Sequence, residues 1–177
     1  MLVEFGGKRP RIHKTAFVHP TATVIGDVTI GAHSSVWPGA VVRGDFESVR
    51  IDRYTCIQDN AVVHSGDRYG EKGKEGPRYL PVKIGNYVIV GHNALIHGCT
   101  VEDNCIVGGG SIVFNGARVR KGSLVGLGAV VPHDVEVAPK TIVVGIPARP
   151  LRALTDEELK NIRMQAENYA KLAKKYR

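Results

Sequence analysis

Three of the seven histidines of the chain lie close enough in sequence to share one chemical task. They are His64, His92 and His97. Gln58 and Asp59 precede the first of them by a few residues. Three neutral imidazoles that leave one coordination position open form the ligand set of a catalytic zinc ion, and iron(II) or cobalt(II) would fit the same ligands. Whether the three side chains can meet at one ion depends on the elements that carry them.

A six-residue repeat of valine and isoleucine predicts those elements. A period of six fits neither an α-helix nor an alternating strand, so it indicates a short strand and a tight turn in each hexad, with three hexads per triangular coil. Small or β-branched residues, which suit the strands, and glycines, which suit the turns, recur within the hexads. The repeat predicts an all-β fold that resembles the hexapeptide-repeat, left-handed parallel β-helix, here with six to seven coils, and the left hand is implied by that resemblance. The repeated positions are Ile12, Val18, Val24, Ile30, Val36, Val42, Ile51, Ile57, Val63, Ile84, Val90, Ile96, Val101, Val107, Val113, Val119, Val125, Val131, Val137 and Val143.

The hexad register assigns the candidate ligands to two faces of the predicted coil. If the long interruption after His64 replaces no hexad, then Arg43, His64 and His97 form one outward column, with about 4.8 Å between successive coils. The same count places Asp59 and His92 one coil apart on an adjacent face. His64 and His97 could therefore hold one ion together, whereas His92 could join them only across a boundary between two chains. The register predicts a metal site shared by subunits of a homotrimer.

Two segments depart from the repeat. Residues 1–150 form the predicted β-helix, and within them the polar, glycine-rich residues 65–81 predict a protruding loop. In residues 151–177 the apolar residues recur at helical spacing, which predicts a helix packed on the outside of the β-helix. Thr155 and Glu158 have the spacing of a capping box at the start of that helix. The apolar stripe consists of Leu159, Ile162, Ala166, Tyr169, Ala173 and Tyr176.

The composition of the chain argues against a nucleic-acid partner and against a membrane partner. The formal net charge is +7, but the chain has no run of Lys and Arg interleaved with aromatic residues, so we expect no nucleic-acid partner. No stretch approaches the ~18 apolar residues of a membrane span, and the first residues lack the pattern of a signal peptide. The three cysteines are an odd number without C-x-x-C spacing, as is typical of reduced thiols. We therefore expect a cytoplasmic protein without a membrane partner.

Several short motifs resemble those of the γ-class carbonic anhydrases. They are Arg43-Gly44-Asp45, Gln58-Asp59-Asn60, His64 and the run from Gly91 to Cys99 that contains His92 and His97. The similarity covers roughly residues 10–176. It implies a homotrimer with metal sites between subunits, in which His64 and His97 come from one chain and His92 comes from its neighbour.

The same resemblance implies an activity and further site residues. The activity is that of a carbonate dehydratase, a lyase: reversible hydration of carbon dioxide to bicarbonate by a metal-bound hydroxide, with zinc as the metal. Gln58 would lie near the metal-bound water. Arg43 would pair with Asp45 or Asp59 at the interface between subunits.

Two positions differ from the archaeal prototype of that family. Phe46 stands where a glutamate directly after the R-x-D motif moves protons in the prototype. Asp67, three residues after His64, stands at the place of a second shuttle glutamate. Because Phe46 cannot carry a proton, we expect Asp67 to be the remaining shuttle candidate and proton transfer to be slow.

Two other functions are compatible with the sequence. Many hexapeptide β-helices transfer acyl groups from coenzyme A or a carrier protein and use one histidine as a general base. Three histidines in metal register argue against that reading. The third possibility is a non-catalytic trimer that holds metal and serves as an assembly module.

Overall fold

The computed structural model describes residues 1–68 and 78–176, which form a β-helix of about 7 turns with one α-helix on its outside. The all-β class is confirmed, and the hexapeptide repeats fit a left-handed β-helix. The described elements are β1 (Leu2–Val3), β2 (Arg11–Ile12), β3 (Phe17–Val18), β4 (Thr23–Ile30), β5 (Ser35–Val36), β6 (Val41–Ile51), β7 (Cys56–Ile57), β8 (Val62–His64), β9 (Gly66–Arg68), β10 (Arg78–Leu80), β11 (Val82–Ile84), β12 (Ile89–Val90), β13 (Leu95–His97), β14 (Thr100–Val101), β15 (Ile106–Val107), β16 (Ile112–Val113), β17 (Arg118–Val119), β18 (Leu124–Val125), β19 (Val130–Val131), β20 (Glu136–Val137), β21 (Thr141–Val144), β22 (Arg149–Ala153), α1 (Asp156–Ala173) and a 3-10 helix (Lys174–Tyr176).

The coil has three faces. On the first face, β8, β13, β16 and β19 stack in parallel on the start of β6. On the second face, β11, β14, β17 and β20 stack in parallel on the end of β6, so β6 turns the corner between these two faces. The third face consists of β3, β5, β7, β12, β15, β18 and β21. Ile51 pairs with Ile84, which confirms that the interruption after His64 replaces no hexad.

The repeated aliphatic residues form the core. All of them except Ile12 and Val18 are buried, and those two pack against the same cluster. Parallel stacking places each aliphatic side chain on its equivalent in the next coil, so one continuous column runs along the axis. Burying each such side chain contributes roughly 1.5–3 kcal/mol relative to its exposure. The core therefore sets the register of every residue that points outward.

The interruptions of the six-residue repeat lie at the corner between the first and second faces. We call this corner the site corner. In β6, Gly44 pairs with Gly26 and Val49 pairs with Val28, so residues 45–48 bulge outward opposite Asp27 alone. The next coil carries β9 and β10 at this corner as an antiparallel pair. The step from His97 to the second face is one residue short, and Gly98 there has a φ of +52°.

Two short strands lie within the segment predicted as a loop, residues 65–81. Gly66–Arg68 and Arg78–Leu80 are strands, and Asp67 lies opposite Tyr79 in their ladder. Residues 69–77 of this segment lie outside the described residues. Polar and glycine-rich composition favours a loop, whereas backbone pairing between two sequence-distant segments leaves no periodic signal in so short a strand.

The C-terminal helix packs on the third face of its own chain. Thr155 is its N-cap and forms the predicted capping box with Glu158. Its buried residues are Ile162, Ala166, Ala170 and Ala173. The helix begins later than residue 151, because β22 first pairs antiparallel with β21. Within the described residues, no helix is long and apolar enough to cross a membrane.

Candidate metal centre

His64 and His97 meet at the site corner. Arg43, His64 and His97 are register partners on successive coils, which confirms the predicted column. Nδ1 of His64 lies 3.1 Å from Nε2 of His97. The His64 residue is only 6% exposed, although the register predicted an outward side chain, because residues of the bulge and of the neighbouring coil cover it. The column therefore faces a recess rather than open solvent.

The second nitrogen of each ring is held by an acceptor. Nε2 of His64 lies 2.8 Å from Oδ1 of Asp45, and Nδ1 of His97 lies 2.7 Å from Oδ1 of Asn115. An ionised carboxylate and an amide oxygen only accept hydrogen bonds, so these two ring nitrogens carry the protons. The two nitrogens that face each other are then left as lone-pair donors. Two lone pairs at 3.1 Å repel unless a proton or a cation lies between them.

The geometry of this pair fits a divalent metal. With metal–nitrogen bonds of 2.0–2.1 Å and tetrahedral angles, two imidazole ligands of one zinc ion stand about 3.3 Å apart. The observed separation of 3.1 Å is close to that value. Ligating histidines usually donate their other N–H to a carboxylate or a carbonyl group, which fixes the tautomer. Asp45 and Asn115 have that relation to His64 and His97.

The surroundings of His64, above all its burial, favour its neutral form. Burial is the largest cause that lowers the pKa of His64, the hydrogen bond to Asp45 opposes it, and the positive charge of Arg43 adds to the lowering. Burial alone would raise the pKa of Asp45, but its hydrogen bonds to His64 and Arg43 lower it overall. The carboxylate is thus ionised and the imidazole neutral near pH 7, which is the state that a metal ligand requires.

His92 lies at a different corner, where the third face turns toward the first. Its Nδ1 lies 2.9 Å from Oδ2 of Asp59, and its side chain is 57% exposed. The contact agrees with the predicted placement of Asp59 and His92 one coil apart, although an ion pair between them was not predicted. Among the residues that the structure describes, no group of three or more His, Cys, Asp and Glu side chains could hold a metal ion. One chain thus supplies two separate parts: the His64–His97 pair and the exposed His92.

The remaining predicted residues occupy different surroundings. Gln58 directly follows β7 and is buried. Arg43 forms an ion pair with Asp45, and its guanidinium lies 3.4 Å from Nδ1 of His64. Asp67 lies in β9, where its backbone oxygen accepts a hydrogen bond from Nδ2 of Asn115 at 2.5 Å.

Aromatic rings wall the histidine pair on two sides. Phe46, which is 45% exposed, lies 5.6 Å from the His64 ring and stacks on Tyr79 at 5.0 Å between ring centroids. Phe114 stacks on His97 at 4.9 Å with an interplanar angle of 14°. Phe46 therefore stands beside the site, as its sequence position predicted, and presents no titratable group there.

Sequence reasoning missed Asn115, Tyr79 and Phe114. Phe114 and Asn115 follow Val113 as His97 and Gly98 follow Ile96, so the same register count would have placed them one coil below the site. Tyr79 offers no such signal, because its place depends on the pairing of β10 with β9.

Comparisons with known proteins agree with this architecture. Residues 9–44 match the family model described as bacterial transferase hexapeptide (six repeats). The chain is 48% identical, over 92% of its length and 95% of the other protein, to a probable carbonic anhydrase of Methanocaldococcus jannaschii. It is 42% identical, over 94% of its length and 58% of the other protein, to the mitochondrial gamma carbonic anhydrase 2 of Arabidopsis thaliana. Among solved structures, a hexapeptide transferase family protein from Anaplasma phagocytophilum matches with a TM-score of 0.90 and 36% identity, covering 99% of this chain and 98% of that chain.

Proposed function

Since this chain belongs to the γ-class carbonic anhydrase family, we propose that it hydrates carbon dioxide reversibly to bicarbonate at a zinc ion shared by two subunits of a homotrimer. The names of its relatives support a carbonic anhydrase-like function. The observation that carries the metal proposal is the pair of ring nitrogens of His64 and His97, which face each other at 3.1 Å as lone-pair donors. Iron(II) or cobalt(II) would suit the same nitrogen ligands.

The place of His92 supports the proposed homotrimer. Asp59 orients the exposed imidazole through Nδ1, and Nε2 is the nitrogen that we propose to bind outside its own chain. A cyclic trimer repeats one heterologous contact three times. In such an assembly, each chain would supply His64 and His97 to one site and His92 to the next. Three equivalent sites would result, each incomplete in a single chain.

The chain's own residues would bind, orient and shield the reactants. When bound, the ion would supply a water of lowered pKa and hence a nucleophile near neutral pH. Gln58 is proposed to orient that water by a hydrogen bond. Arg43, held by Asp45, is proposed to stabilise the negative charge of bicarbonate or to bridge the interface together with Asp59. The rings of Phe46 and Tyr79 would limit the entry of bulk water beside His64.

Proton release is the step for which we propose only one residue of this chain, Asp67. A shuttle needs a titratable group within a water or two of the reacting centre. Phe46 offers none, and Asp67 in β9 is the proposed substitute. We therefore expect turnover to depend on buffer molecules that accept the proton directly.

The experiment that tests this proposal measures metal, mass and activity on one preparation. Protein purified without oxygen should contain one divalent ion per chain, show a trimer by light scattering and hydrate carbon dioxide in stopped-flow assays. Reconstitution of stripped protein with zinc, cobalt and iron(II) identifies the active metal. A stable monomer with one tightly bound ion per chain would contradict the shared site.

An acyltransferase is the second candidate, and the match to a protein of the hexapeptide transferase family favours it. That chemistry needs one histidine as a free general base. Here Asp45 and Asn115 hold one nitrogen of each ring, and the unprotonated nitrogens of His64 and His97 face each other at 3.1 Å, so neither is directed at a separate substrate hydroxyl or amine. Stabilisation by coenzyme A in a thermal-shift assay would support the transferase. A trimer that binds metal but shows neither activity would support an assembly module.

We also propose a cytoplasmic location. The Arabidopsis relative bears a mitochondrial name, so the two proteins would work in different compartments. Fractionation of cells that express the tagged chain tests this directly. Recovery of the protein with a membrane or an organelle would contradict it.

A further inference from the structure

Asn115 is a buried asparagine at the site corner, and its hydrogen bond to strand β9 has no role in the proposed function. It is 3% exposed. Its Oδ1 lies 2.7 Å from Nδ1 of His97, and its Nδ2 donates to the backbone oxygen of Asp67 at 2.5 Å. One carboxamide group therefore joins the second histidine of the pair to strand β9.

Two glycines shape the slot that holds this carboxamide. A Cβ added at Gly66 would lie 2.1 Å from Oδ1 of Asn115, and a Cβ added at Gly98 would lie 2.5 Å from the same atom. Neither position accepts a side chain unless the carboxamide moves. Gly98 directly follows His97, and Gly66 begins β9. The backbone at Gly66 and at Gly98 thus lies so close to Asn115 that its carboxamide has room for one position only.

The two ends of the carboxamide are not interchangeable. The backbone oxygen of Asp67 only accepts hydrogen bonds, so the NH₂ end of Asn115 must face it. The amide oxygen then faces His97 and accepts from its Nδ1, which leaves Nε2 unprotonated and directed at His64. Strand β9 therefore decides, through Asn115, which tautomer His97 adopts.

The geometry points to Asn115 as a positioning residue that couples the histidine pair to the β9–β10 strand pair. This inference rests on the proposed metal site and deepens it. Asn115 holds His97 in the tautomer that binds a cation, and the same group fixes β9 to the coil. Because coupling between two equilibria is reciprocal, metal bound by His97 should stabilise β9, and an anchored β9 should strengthen metal binding.

Two substitutions separate the two hydrogen bonds. Asn115→Asp keeps an acceptor oxygen for His97 but loses the donor to Asp67. Asn115→Ala loses both. Ser123→Ala is the matched control, because it removes another buried side-chain hydrogen bond, from Ser123 to the backbone oxygen of Ala138 at 2.7 Å, in a different coil.

The first measurement needs no metal. Nitrogen-15 NMR of histidine side chains in the metal-free protein reports which ring nitrogen of His97 is protonated. We expect protonated Nδ1 in the wild type, in Asn115→Asp and in Ser123→Ala, and a shift toward protonated Nε2 in Asn115→Ala. An unchanged tautomer in Asn115→Ala would overturn the inference. If Asn115→Ala does not fold, hydrogen exchange in Asn115→Asp, described next, tests the inference instead.

The second measurement follows β9. Hydrogen exchange of the backbone amides of Gly66–Arg68 should be about tenfold faster or more in both Asn115 variants and unchanged in Ser123→Ala, because local opening follows the loss of local hydrogen bonds. Equal exchange in all four proteins would overturn the coupling. None of these substitutions changes Phe46 or Tyr79, so we do not expect their stacking to account for a difference.

The third measurement compares affinity for zinc by competition with a chelator. Loss of a partner of a metal-binding histidine typically weakens metal affinity about 10–100-fold, which we expect for Asn115→Ala. Asn115→Asp keeps the acceptor for His97 but loses the anchor of β9, so we expect a smaller loss of affinity there and none in Ser123→Ala. Equal affinity in the wild type and Asn115→Ala would overturn the inference and leave the proposed function standing. A wild type that binds no metal would overturn the proposed function, whereas the tautomer and exchange results would still decide the role of Asn115.

Discussion

The two parts of the proposed metal site differ in how completely a single chain builds them. His64 and His97 lie in a recess, and each has one ring nitrogen fixed, by Asp45 and Asn115 respectively. His92 stands exposed at the next corner, where it pairs with Asp59. The first part is organised by folding, whereas the second part needs a neighbouring chain. This difference makes assembly, rather than folding, the step that would complete the site.

The largest expected effect is loss of metal from either part. Replacing His64, His92 or His97 by alanine should remove stoichiometric metal, because each is one of three proposed ligands. We expect affinity to fall by more than the ~100-fold that follows loss of an indirect partner. Metal analysis after dialysis against chelator measures this. His33→Ala is the control, since His33 packs against Tyr54 at another corner, with 4.8 Å between ring centroids. A folded His92→Ala protein that keeps one ion per chain would contradict the shared site.

Mixed trimers sharpen the comparison. Co-refolding equal amounts of His64→Ala and His92→Ala chains should restore about one quarter of the wild-type sites, because each site of the ring needs an intact His64 on one chain and an intact His92 on its neighbour. Metal content and carbon dioxide hydration both report the recovery. In a mixture of His64→Ala with His97→Ala, every chain lacks one histidine of the His64–His97 pair. No site is then complete, and we expect no recovery. Equal recovery in the two mixtures would place His92 elsewhere.

A smaller effect concerns proton transfer at the buried part. Phe46→Glu should raise turnover in weak buffer by about tenfold or more, since general acid–base groups typically contribute at least that much, while kcat/KM changes little. Phe46→Gln is the control, because glutamine has nearly the same shape as glutamate but no titratable proton. It should give no gain. Stopped-flow rates at increasing imidazole concentration measure the effect. Turnover that responds neither to buffer nor to the glutamate would show that proton release is not limiting.

The smallest effect is on the stability of the metal-free protein. Folding lowers the pKa of His64 below its usual 6.5, chiefly by burial, so the unfolded chain binds the proton more readily. The free energy of unfolding should therefore be highest above pH 6.5 and fall as the pH drops through the interval between 6.5 and the lower folded pKa. Urea unfolding at several pH values measures this slope. His64→Gln should flatten it, and a slope that persists in this variant would assign it to another group.

The sequence was sufficient to predict the parts of the site that depend on the repeat. A period of six with parallel stacking leaves one register, so the placement of His64 beside His97 and of Asp59 one coil from His92 could be counted in advance. The metal and catalytic roles of these residues stay predictions. The capping box of Thr155 and Glu158 was equally readable, because it depends on residues three positions apart.

Only the tertiary structure decided what happens at the site corner. The strands β9 and β10, the stacking of Tyr79 on Phe46 and the burial of His64 arise where the repeat is interrupted, so no period could predict them. Asn115 shows the reason most clearly. Its position follows from the register, but its role depends on the approach of Gly66 and Gly98 to one carboxamide, and such close packing of distant backbone segments is determined by the folded chain alone.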